Sequence, residues 1–139
     1  MAITQAVCNS FKTELLGAIH DLDTDVFFIA LYTSAATLGA STTAYTASGE
    51  SSGTNYTAGG IALAGGTISL DGSTAVVDFD DATFNNVSIT ARGALIYNSS
   101  KANRAVAVLD FGADNTVSNG DFNIIFPAAA ASTALIRIT

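Results

Sequence analysis

The chain is 139 residues long, carries a net charge of −7, and has 12% charged against 49% hydrophobic residues. That length is one domain's worth and buries enough surface to need no staple, and the single cysteine, Cys8, allows no internal disulfide. The five basic residues, Lys12, Arg92, Lys101, Arg104 and Arg137, form no cluster, which argues against nucleic acid or an anionic membrane as partner; no run of about 18 apolar residues offers a membrane span.

Residues 4–20 carry the one helical period in the chain. Thr4 is the expected N-cap, Val7, Phe11 and Leu15 recur at i, i+4, i+8, and Cys8, Ala18 and Ile19 widen the stripe. The opening Met1-Ala2-Ile3-Thr4 has no basic stretch leading into an apolar one, so no secretory signal is expected and synthesis in a cytoplasm is. Residues 26–33 (VFFIALYT) are rich in β-formers on both faces, so both faces are expected to be covered, one by the helix.

Residues 34–60 are small and polar, with Leu38, Tyr45 and Tyr56 as the bulky exceptions. A loop this long is uncommon unless it has a function. Tyrosine supplies large contact area at low entropy cost, so the segment is expected to be an interaction arm, with Leu38, Tyr45, Glu50 and Tyr56 as its contact residues. The competing expectation is that both tyrosines fold back on their own domain. On the arm reading, removing residues 36–58 weakens attachment and leaves the domain folded.

From Gly60 onward the chain punctuates itself as short strands: 61–70, 74–80, 87–91, 94–98, 104–109, 121–126 and 133–138. Asp71-Gly72 and Asn119-Gly120 are turn signals, residues 99–103 a hairpin loop, and Pro127 a strand end. The pattern predicts one mainly β domain over 1–139, an antiparallel sandwich or barrel-like fold of jelly-roll or immunoglobulin-like kind, with one N-terminal helix. Several strands are apolar on both faces, so parts of the molecule or other subunits must cover them.

No catalytic constellation emerges. His20 is the only histidine, and neither Ser10 nor Asp21 is spaced from it as a triad requires; a histidine at a helix C-terminus is the simpler reading. Asp21, Asp23 and Asp25 have the spacing that begins a calcium loop, but Val26 and Tyr32 stand where it needs glycine and glutamate, so a solvated turn is expected. Asp78, Asp80 and Asp81 lack an aromatic sugar platform and are expected at a strand end, with Arg92 as a candidate ion-pair partner. No cofactor and no metal site is expected, and the chain is not expected to be an enzyme.

Seven strings carry a likeness that spans nearly the whole chain: MAITQAVCNSFKTELL, IALYTSAATLGASTTAY, NYTAGGIAL, TAVVDFDDATF, ITARGALIYN, AVAVLDFGAD and GDFNIIFPAA. In these the chain resembles a family of small virion structural proteins of tailed phages, cyanophage-type members included. None of the strings is a catalytic motif. The resemblance implies a head-decoration (cement) protein on the capsid exterior, bound to the major capsid protein, and homo-oligomeric, with a trimer as the expected form. A tail or fibre-associated module, and a free sugar-binding β-sandwich assisted by calcium, are the alternatives.

Overall fold

The computed structural model describes residues 2–139. The elements in order are β1 (Ala6–Val7), α1 (Asn9–Leu16), β2 (Phe27–Tyr32), β3 (Ile61–Ala62), β4 (Thr67–Asp71), β5 (Thr74–Asp78), β6 (Ala82–Asn98), β7 (Arg104–Ile124) and β8 (Ile136–Ile138). They form two antiparallel sheets, a larger one in the order β1-β7-β6-β2-β3 and a smaller one in the order β4-β5-β8. The chain is therefore mainly β with one short helix near its N-terminus, as its strand periodicity predicts.

The helix is shorter than its period suggests. Ala6 and Val7 pair with Val108 and Ala107 as an edge strand, and the Thr4 amide donates to the Leu38 carbonyl. The ladder takes up the backbone groups that a helix starting at Thr4 would need, so tertiary pairing overrides the local period. The N-cap is Cys8, in extended conformation, and Gly17 and Ala18 (φ 61°) end the helix. Phe11 is buried and Leu15 packs on the core, but Val7 belongs to β1.

The strands are fewer and longer in the second half than the turn signals predict. Residues 87–91 and 94–98 are one strand, β6, of 17 residues; residues 104–109 and most of 121–126 belong to one strand, β7, of 21. Asn119-Gly120 is a bulge, not a turn: the register passes from Val87↔Gly120 to Ile89↔Val117 with one extra residue on β7, and Asn119 takes φ 52°. A left-handed Asn before Gly serves either feature, so sequence alone does not separate them. The Asp71-Gly72 signal does close a hairpin, with Asp71 opposite Thr74 and Gly72 at φ 63°. Stretch 61–70 splits at Gly65-Gly66: β3 joins the larger sheet and β4 the smaller. Gly65 takes φ 65°, a left-handed conformation that favours glycine at the crossing between sheets.

One core joins both sheets. Phe27, Ile29, Leu31, Leu95, Ile96, Val106 and Val108 fill it from the larger sheet, and Val77, Phe79 and Ile136 enter it from the β5–β8 side. Both faces of β2 are covered. Phe79 packs on Phe27, and His20, itself against Phe11, bonds Asn98 of the neighbouring strand. The other face, carrying Phe28 and Tyr97, lies under the 34–60 loop.

Candidate docking surface

The four residues expected on an interaction arm are occupied within the chain. Leu38 is buried, bridged to Ile3 in parallel, with its amide and carbonyl taken by Ala2 and Thr4. Tyr45, Glu50 and Tyr56 come together. Glu50 accepts hydrogen bonds from Tyr45 Oη (2.5 Å), Tyr56 Oη (2.7 Å) and the Gly59 amide (2.7 Å). Tyr56 Oη also accepts from the Leu31 amide of β2. The remaining two tyrosines join from the sheet: Tyr32 Oη donates to the Thr46 carbonyl, Tyr97 Oη donates to the Gly59 carbonyl, and the Tyr45 and Tyr97 rings lie 4.9 Å apart. All four tyrosines of the chain thus fasten one loop to one sheet.

The loop lies close enough that side chains would not fit beneath it. A Cβ on Gly53 would meet the Ser88 carbonyl oxygen at 1.9 Å, and one on Gly60 the Ile29 carbonyl oxygen at 1.8 Å. Isolated bridges tie the loop to three strands, Glu50 to Tyr32, Ala44 to Arg104 and Thr54 to Ser88. The segment is a cover, not a free arm. Small residues let it approach the sheet, and the sparse bulky ones are its fastenings. Burial raises all four phenols, and the neighbouring Glu50 carboxylate adds to it; Tyr45 is pushed up to about 12.

A second polar network holds the helix to the β6–β7 hairpin. The Asn98 side-chain oxygen accepts the Ser100 amide, which fixes its nitrogen as donor to Asp25 (2.7 Å) and to His20 Nδ1 (3.0 Å). His20 Nε2–H then donates to Glu14 (2.9 Å), which also receives Arg104 at 2.7 Å. Lys101 pairs with Asp25 at 3.0 Å. Burial would raise the Asp25 carboxyl, but hydrogen bonds from the Asp21 amide, Asn98 and Lys101 and the Lys101 charge outweigh it and hold it at about 2. Glu14 is lowered in the same way, with burial opposed by His20 and Arg104. His20 is therefore a buried strut beyond the end of α1 at Leu16, not a histidine at the helix C-terminus.

The carboxylates of the two aspartate clusters cap backbone amides, Asp21 within its own turn and Asp81 on a distant segment. Asp21 accepts the amides of Asp23 and Thr24, and Asp81 accepts the Phe126 amide. Arg92 pairs with Asp110, not with the 78–81 cluster. Among the described residues no group of three metal-ligating side chains is close enough to hold an ion.

Among the described residues, three of the exposed large hydrophobics gather on the smaller sheet, while Val26 and Ile125 are exposed outside it. Its register places Ile68, Val77 and Ile136 in one row and Leu70, Ala75 and Ile138 in the next, all on one face. Val77 and Ile136 reach the core, but Ile68 is 54%, Leu70 70% and Ile138 55% exposed. The sheet flares from the body, opening a cleft of about 430 Å³ against Leu15, Ala18 and Leu22. A second cleft of about 480 Å³ runs between α1 and β8 past Leu16, which is 90% exposed. Sequence reasoning missed these residues. The available signals were Leu16, which stands off the Phe11–Leu15 stripe, and Ile68 and Leu70, alternating between glycine pairs and a turn where nothing in the pattern supplies a cover.

No family model, no characterised protein and no solved structure matches the chain.

Proposed function

We propose that the chain is a virion structural protein of the head-decoration kind, which acts without catalysis by docking on the outside of a major capsid protein lattice. The observation that carries this reading is the open apolar face of Ile68, Leu70, Ile138 and Leu16, which groups four of the six exposed large hydrophobics of the described residues on and beside the smaller sheet. Contiguous apolar surface of that kind marks a contact with another macromolecule. The charge supports an outward position. The net charge is −7, and three of the five cations are held in ion pairs by Asp25, Asp110 and Glu14, so little positive charge is left for packaged DNA. The likeness of the chain to small tailed-phage virion proteins points to the same class.

On this reading the mechanism is mass action. Copies that bind the assembled lattice and not its separate subunits lower the free energy of the shell, and many weak contacts sum through multivalency. Quantitative mass spectrometry of purified virions of the encoding phage tests it. Copies on the order of the major capsid protein's are expected. A dozen or fewer per particle would move the chain to the tail or fibre, and its absence from particles would overturn the reading.

A further inference from the structure

We propose that the free edge of β4 pairs with the same edge of a second copy about a two-fold axis at Ser69, joining two three-stranded sheets into one of six strands. β4 is a strand whose residues are all exposed, and it has a neighbour on one side only, β5. The hairpin closes on the pair Asp71↔Thr74, which in a two-residue turn is the hydrogen-bonded pair. Alternation then sends the backbone groups of Thr67, Ser69 and Asp71 toward β5 and those of Ile68 and Leu70 outward. Among the described residues, the Ile68 and Leu70 backbones make no hydrogen bond to any segment outside the hairpin.

Those outward groups fit themselves. In an antiparallel register centred on Ser69, Ile68 faces the second copy's Leu70 as a hydrogen-bonded pair, twice by symmetry, which gives four backbone bonds. Thr67 then faces the second copy's Asp71, so the one charge on the strand never meets its like, and apolar side chains sit across from each other. Gly66 falls opposite the second copy's Gly72, leaving the ends of the contact free of side chains. The usual protections of an edge strand, a proline, a lysine or a bulge, do not occur in Thr67–Asp71. A three-fold contact cannot use this edge, because antiparallel self-pairing is isologous. The pairing leaves the apolar face open and doubles it, so it stands apart from the docking role and is tested in solution without particles.

A five-residue edge buries far less than the roughly 1,600 Å² of a standard interface, so the dimer is weak and is best read by trapping. The centre of the register is a non-hydrogen-bonded pair with Cα atoms about 4.5 Å apart, within disulfide reach. The Ser69→Cys chain under mild oxidation is expected to form a disulfide-linked dimer as its main product. Thr67→Cys, whose two copies would lie roughly 13 Å apart along the strands, is expected to stay monomeric. Native Cys8 is fully buried and its thiol is pushed up to about 11, so it does not compete. Leu70→Pro in the Ser69→Cys chain removes an outward amide that the monomer does not use, and is expected to cut dimer yield about tenfold or more with the circular dichroism unchanged. No cross-link through Ser69→Cys at millimolar protein, or an equal yield through Thr67→Cys, would overturn the proposal.

Discussion

Glu50 and its tyrosines decide whether the long loop is structure or appendage. Burial raises all four phenols, the Glu50 charge adds to it, and Tyr45 and Tyr56 are raised further because they donate to that carboxylate, Tyr45 to about 12. The folded state holds these protons more tightly than the unfolded one. Stability from the phenols is thus complete below their unfolded value near 10 and is lost as pH rises through the folded values. Phenolate absorbance at 295 nm is expected to stay low in the folded protein at pH 10.5 and to appear only with unfolding. Half-ionisation of the tyrosines near pH 10 in still-folded protein would show that the cluster does not form. Glu50→Gln keeps the size but turns a donor toward a hydroxyl that needs an acceptor, at an expected cost of about 1–3 kcal/mol in denaturant unfolding. Asp25 sets the acid limb. Its carboxyl is lowered from 3.8 to about 2, so the stability it adds is present above pH 4 and lost as pH falls toward 2. Asp25→Asn is expected to be less stable at neutral pH and to show a flatter decline across that window.

At the scale of elements, the loop and the sheets are one folding unit. Cutting out residues 36–58 removes the cover of Phe28 and Tyr97 and the partners of Tyr32, Leu31 and Thr90, so the truncated chain is expected to lose cooperative unfolding rather than remain a folded domain. Two glycines separate local from packing effects. Gly72 has φ 63° with open space around it, so Gly72→Ala is expected to cost about 1–2 kcal/mol from the left-handed conformation alone. Gly60 has φ 82° with the Ile29 carbonyl against it, so Gly60→Ala is expected to cost more, about 3 kcal/mol or above, as the loop lifts from β2. Equal melting temperatures for the two variants would mean that the loop does not press on the sheet.

The same contrast explains what could be read from the chain alone. The β-former run of β2, the two apolar faces of residues 104–109 and the Asp-Gly hairpin are local signals with local outcomes, and they were legible. The helix start was not, because Ala6 and Val7 answer to a strand about a hundred residues away. The role of the loop was not, because a tyrosine on a partner and a tyrosine on its own sheet look alike until Glu50 is placed between Tyr45 and Tyr56. The open face was not, because Ile68 and Leu70 have the spacing of any half-buried strand, and exposure follows from how the smaller sheet flares.

The whole molecule divides its labour: the tyrosines of residues 34–60 face inward and the small sheet faces outward. The sharpest check is hydrogen exchange by mass spectrometry on the chain, free and bound to the capsid shells that the proposed function assigns as its partner. Residues 67–71 and 136–138, with the end of α1 at Leu16, are predicted to gain protection on binding, while 44–56 are already protected in the free chain and change little. Protection gained across 44–56 with the small sheet unchanged would make the loop the docking element after all and contradict the account.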